Sequence, residues 1–183
     1  LSAGIEQTLV EKKFSGTVLV FHHGQIILNK AYGWKDQSKR IQNTVHTQYC
    51  IGSVQKGQTA YLIMRAIKSG KLFLDEKLSD FFPQIPNSKN ISIKDMLNMS
   101  SGLRIDEKKI SSLNTTDEKE ILAQTIRQTT VVPSASYSYQ PVNYVLLAGI
   151  LEKIYPTDYN SLFDKEIKDA MKLKETSFYS ETN

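Results

Sequence analysis

A chain of 183 residues with 40% hydrophobic and 23% charged content can bury a core as one domain. The net charge is +4, but the basic residues are scattered and lack interleaved aromatics, which argues against a nucleic-acid surface. The lone Cys50 excludes an internal disulfide and a cysteine-based zinc cluster.

His22, His23 and His46 lack ligand spacing, so no metal is expected. No apolar run is long enough to span a bilayer. No signal segment is visible, and the chain starts at Leu1, so one removed upstream is compatible with it.

Leu1 to Lys13 carries Ile5, Leu9 and Val10 at helical spacing and predicts an amphipathic opening helix. Phe14 to Phe21 and Ile26 to Trp34 are β-rich around a Gly-bearing turn, which predicts an antiparallel hairpin. Lys35 to Gln48 reads as polar connection. A helix then starts at Ser53. Its stretch Thr59 to Ile67 is apolar nearly all round, which predicts burial, and Gly70 closes it.

Lys71 to Pro86 predicts loop with short helical turns. Ile91 to Asn98 predicts a short helix capped by Ser92 and ended by Ser100-Ser101-Gly102. Thr116 to Thr129 predicts a helix with acidic residues in its first turn. Val131 to Tyr139 is a Ser/Tyr-rich loop, Asn143 to Ile154 a strongly apolar helix, and Tyr159 to Ala170 a last amphipathic helix. There is no repeat and no linker, so the chain reads as one unit. No later strands are expected. A hairpin alone makes a poor sheet, so further chain or a partner should complete it.

The chemistry concentrates at Gly52-Ser53-Val54-Gln55-Lys56. Residues three apart share a helix face, so the Lys56 amine can reach the Ser53 hydroxyl. A serine is a weak nucleophile unless a neighbouring base takes its proton, and a desolvated lysine can act as that base. The free N–H groups of a helix start suit a developing negative charge. The spacing alone also fits a capping serine followed by a solvated lysine.

With these residues in view, the chain resembles the serine β-lactamase and penicillin-binding-protein superfamily. It is most similar to the class C-like branch of β-lactamases, D-alanyl-D-alanine carboxypeptidases and esterases. The resemblance is carried in order by FSGTVLVFHHGQIILNKAYGW, YCIGSVQKGQTA, SGKLFLDEKLSDFFPQIP, ISIKDMLNMSSGL, YSYQPVNYVLLAGILEKI and DAMKLKETSFY.

It implies an α+β, β-lactamase/transpeptidase-like fold. Residues 1–183 would be the N-terminal portion of a single domain, without the C-terminal strands that carry a K-T-G-type motif. Ser53 would be the acylated nucleophile, Lys56 its proton acceptor, and Tyr139 the tyrosine of a Y-x-N motif that moves the proton onward. The Ser53 backbone N–H would be one oxyanion donor. Gln55, Pro141 and Asn143 fall at substrate-binding positions. Pro141 replaces the family's asparagine and has neither side-chain donor nor backbone N–H. Met99 stands where the family often has histidine.

The implied activity is serine acyl transfer on D-Ala-D-Ala-like cell-wall peptides, β-lactams or esters, outside the cell or at its surface and without a cofactor. The alternative is a degenerate member that binds cell-wall peptide or a protein partner.

Overall fold

The computed structural model describes residues 1–106, 108, 115, 117–133 and 136–178. Its contacts divide between Cys50 and Ile51 into two compact units. No change in composition marks this junction, which is why the sequence reads as one unit.

The first unit comprises residues 1–50 with 175–183. It opens with helix α1 (Ser2–Glu11), which buries no residue fully. Strands β1 (Gly16–His22) and β2 (Gln25–Tyr32) form the predicted antiparallel hairpin around a His23–Gly24 loop, with a bulge between Val20 and Phe21. Leu28 points to the packed face and is 4% exposed, whereas Leu19, Phe21 and Ile26 lie open.

The predicted polar connection holds a second small pairing, β3 (Trp34–Asp36) with β4 (Ile41–Gln42). Strands this short carry too few residues to show alternation. Thr17, Asn43 and Tyr49 form a side-chain hydrogen-bond cluster that fastens the following loop to β1. His46 Nδ1 lies 3.0 Å from the Glu175 carboxylate and Gln48 donates to the Glu175 carbonyl.

The second unit, Ile51–Lys174, is mainly helical. A short 3-10 turn (Gly52–Val54) runs directly into α2 (Gln55–Lys68). The end of α2 is closed by Gly70 N–H on the Ile67 carbonyl and Lys71 N–H on the Ala66 carbonyl. Helices α3 (Leu78–Phe81) and α4 (Ile93–Leu97) are single turns. Ser92 caps α4 as predicted: its hydroxyl accepts the Asp95 N–H while the Asp95 carboxylate accepts the Ser92 N–H.

Helix α5 (Glu118–Gln128) begins at the Asp117 cap; the predicted first residue, Thr116, lies outside the described residues. Helix α6 (Val142–Ile154) follows the Tyr139 loop, of which residues 134 and 135 also lie outside them.

The core is the packing of α2 on α6, with α5 also packed against α6. Leu62, Ile63 and Ala66 of α2 are at most 2% exposed, as are Leu146, Leu147, Ile150 and Leu151 of α6. Burying each such leucine or isoleucine side chain is worth about 1.5–3 kcal/mol before entropy is counted.

Three expectations change in this unit. Helix α2 buries one face only, since Tyr61 and Met64 are 40% and 48% exposed. A later strand pair exists, β5 (Leu103–Arg104) with β6 (Thr130–Val131), each two residues long and again below the length at which a period shows. The last predicted helix is α only over α7 (Tyr159–Phe163) and widens into a π-turn at Asp164–Asp169, a local change that side-chain periodicity does not report.

Candidate active site

Gly52 sets the approach to Ser53. Its φ is +50°, in the left-handed region that β-carbon sterics make costly for other residues. The chain turns there and presents Ser53 at the mouth of α2, where its side chain is exposed. One turn on, Lys56 is half-buried and its Nζ lies 2.9 Å from Ser53 Oγ, the contact that the spacing predicts.

Tyr139 arrives from the loop before α6, and its hydroxyl lies 2.6 Å from the same Ser53 Oγ. Lys56 Nζ also sits 5.1 Å from the centroid of the Tyr139 ring, within cation–π range. Ser53, Lys56 and Tyr139 therefore meet around one oxygen, and all three belong to the Ile51–Lys174 unit. The heavy-atom distances suit proton transfer among the three groups.

Helix α2 is held in place from beneath. Thr59 Oγ1 and Tyr159 Oη are 2.7 Å apart in a buried contact between α2 and α7. At the far end, Arg65 pairs with Glu166 at 2.8 Å.

Beside Lys56 opens a cavity of about 260 Å³, lined by Gln55, Thr59, Pro141, Tyr144 and Tyr159 with apolar walls from Ile121, Leu122 and Val145. Gln55 and Pro141, two of the predicted substrate-binding residues, thus face the same space as Lys56. Pro141 offers it a ring and no donor. Glu118 and Glu152 also line it. Burial pushes the Glu118 carboxyl above its ordinary value, with Glu152 and Asp158 adding to the rise against a lowering hydrogen bond from Asn160. Burial likewise raises the Tyr159 and Tyr144 phenols.

Asn143 departs from the prediction. It is 1% exposed, and its carboxamide is taken up by Ser101 Oγ at 2.6 Å and by the Gln140 carbonyl at 3.0 Å. The side chain is enclosed and engaged with these internal partners under the Tyr139 loop, and Asn143 is not among the residues that line the cavity. Met99 is 7% exposed, and the Ser138 N–H bonds its carbonyl. The sequence marks Ser101 only as a helix terminator, and nothing in local spacing points to its partner 42 residues away.

The family model described as Beta-lactamase matches residues 3–183. This chain belongs to the Beta-lactamase family.

Among its relatives, the teichoic acid D-alanine hydrolase of Staphylococcus aureus is 29% identical over 179 residues, covering 97% of this chain and 44% of that protein. The crystal structure of FmtA from Staphylococcus aureus superposes with a TM-score of 0.87 at 28% identity, covering 98% of this chain and 51% of FmtA. A penicillin binding protein from Bacillus halodurans shares the fold, with a TM-score of 0.84 at 22% identity over 98% of this chain and 57% of that one. The chain therefore spans about half the length of the relatives it matches. The fold is α+β and β-lactamase/transpeptidase-like.

Proposed function

We propose that this chain carries the nucleophile and the proton-handling groups of a serine acyl-transfer hydrolase. The observation that supports this most directly is the meeting of Lys56 Nζ and Tyr139 Oη on one Ser53 oxygen. Ser53 Oγ attacks a carbonyl carbon while its proton passes to the Lys56–Tyr139 pair. As the tetrahedral adduct collapses, the bond to the leaving group breaks and that group takes the proton from the pair. Water then attacks the acyl-enzyme by the same route and frees the acid. The Ser53 backbone N–H is the proposed donor to the carbonyl oxygen.

The proposed acyl donors are D-alanyl esters and D-Ala-D-Ala-like peptides of the cell wall. The first follows from the likeness to a teichoic acid D-alanine hydrolase and the second from the resemblance in the motifs. Such substrates put the protein outside the cell or at its surface. No helix among the described residues is long and apolar enough to cross a membrane. Further chain or a partner is proposed to complete the sheet begun by β1 and β2.

Pro141 favours a second reading, a catalytically degenerate member that binds cell-wall peptide or a protein partner. Without an asparagine at that position the site loses a donor toward substrate.

Intact mass after exposure to a penicillin and to a fluorophosphonate, on wild type and Ser53→Ala, separates the two readings. Penicillin opens its ring onto Ser53 with no atom lost; the fluorophosphonate forms an O–P bond and releases fluoride. One adduct, lost in the variant, supports the hydrolase. No adduct with either probe overturns catalysis by this chain, in favour of the binder or of a site that needs the further chain or partner proposed above.

A further inference from the structure

Tyr139 is 47% exposed, so burial does not fix its ring, yet its hydroxyl sits at hydrogen-bond distance from Ser53. The backbone on both sides of it is tied to the segment Met99–Gly102 and its immediate neighbours. On one side, Ser138 N–H donates to the Met99 carbonyl at 2.9 Å. On the other, the Gln140 carbonyl accepts both Asn143 Nδ2, at 3.0 Å, and the Asn143 backbone N–H, at 3.1 Å.

Asn143 is itself held by Ser101, whose hydroxyl donates to its Oδ1 at 2.6 Å and accepts the Leu103 N–H at 3.2 Å. Ser101 and Asn143 are 7% and 1% exposed. A hydrogen bond in such surroundings gains from the low local dielectric and has no water to replace a lost partner. Farther back, Val132 N–H bonds the Gly102 carbonyl and β6 pairs with β5, so the loop leaves and returns to the same strip of chain. Met99 holds a φ of +54°, which a residue with a side chain adopts rarely.

We propose that Ser101 and Asn143 are positioning residues: their buried hydrogen-bonded couple fixes the backbone of the Tyr139 loop and so places the Tyr139 hydroxyl against Ser53. The inference rests on the reading of Tyr139 as a proton-handling group. A couple that merely held the core together would lower stability when broken and leave the folded site unchanged.

The test uses Ser101→Ala, Asn143→Asp and, as a core control away from the couple, Ile150→Val. All are measured well below their unfolding temperatures. One readout is the 13Cζ resonance of Tyr139, assigned by its loss in Tyr139→Phe, which reports the placement of the phenol without any reaction. The other is the rate of Ser53 phosphonylation by the fluorophosphonate.

Ser101→Ala is expected to shift the resonance and slow labelling about 10- to 100-fold, since a displacement near 1 Å at a reacting group costs about 100-fold. Asn143→Asp keeps the acceptor for Ser101 and loses the donor to Gln140; it is expected to do the same, and it carries the test if Ser101→Ala does not fold. Ile150→Val is expected to lower the Tm alone. The proposal is overturned if Ser101→Ala, or Asn143→Asp in its place, lowers the Tm with resonance and rate unchanged, or if Ile150→Val moves both equally. Should wild type fail to label, the hydrolase reading falls while the resonance still decides the positioning.

Discussion

Lys56 and Tyr139 touch each other as well as Ser53: Lys56 Nζ lies 5.1 Å from the Tyr139 ring centroid while it and the Tyr139 hydroxyl both reach Ser53 Oγ. On the proposed reading, a proton leaving Ser53 meets a coupled pair rather than a single base. Lys56→Ala and Tyr139→Phe are each expected to slow Ser53 acylation by about 100- to 10,000-fold, the range for loss of a general acid or base. The double variant is expected to lose little more than the worse single one, because groups acting as a unit are non-additive. Stopped-flow acylation with a chromogenic β-lactam checks this, and a fully multiplicative loss would show that the two act separately.

Pro141 faces the cavity beside Lys56. Pro141→Asn restores a side-chain donor there, and one hydrogen bond is worth about 0.5–1.5 kcal/mol, or roughly 2- to 10-fold in rate. Penicillin acylation of the variant is expected to rise by that factor; unchanged kinetics would mean that the position does not reach the substrate.

Gly52 has open space where a β-carbon would go, so substitution there tests backbone conformation alone. Gly52→Ala is expected to cost about 1–2 kcal/mol for holding a left-handed φ. The expected readouts are a lower Tm and slower phosphonylation of Ser53, because the turn at Gly52 presents Ser53. A variant as stable and as fast as wild type would show that the turn relaxes freely.

Gly149 lies where α6 meets α5. A β-carbon there would stand 2.8 Å from one Leu122 methyl and 3.1 Å from the Phe82 ring. Overpacking of about 1–3 kcal/mol opposes the roughly 1 kcal/mol that alanine gains over glycine in a helix. Gly149→Ala is expected to be net destabilising by about 1 kcal/mol, a fall of about 2–4 °C in Tm on calorimetry. A rise would mean that Leu122 moves aside without cost.

The carboxyl of Glu118 is raised by burial, so the folded protein holds its proton more tightly than the unfolded chain does. That contribution is fully present below the ordinary value of 4.5 and is lost as pH rises through the folded value. Glu118→Gln removes the dependence. Its Tm relative to wild type is expected to rise as pH goes from about 4 to about 7, by a small amount because solvent screens this largely exposed residue. An advantage that does not change with pH would place the effect elsewhere.

Local and repeated signals were legible in the sequence. The Ser53–Lys56 contact follows from one helical turn, the Ser92 cap from residue type, and the β1–β2 hairpin from two β-rich runs about a glycine turn. Tyr139 became legible only through the ordered motifs, because 86 residues separate it from Ser53. The Ser101–Asn143 couple was not legible, since a single long-range hydrogen bond has no period. The same holds for β5 and β6, where two-residue strands offer no alternation, and for α2, whose apolar composition hides that Tyr61 and Met64 point outward.

Ser53, Lys56 and Tyr139 lie wholly within Ile51–Lys174, and so do Gln55, Pro141 and Tyr159, which line the cavity beside them. On the proposed reading, the groups that move the proton and the walls nearest to them are inherited as one piece. A new acyl group in this cavity is then admitted only by changes made in direct company with the chemistry.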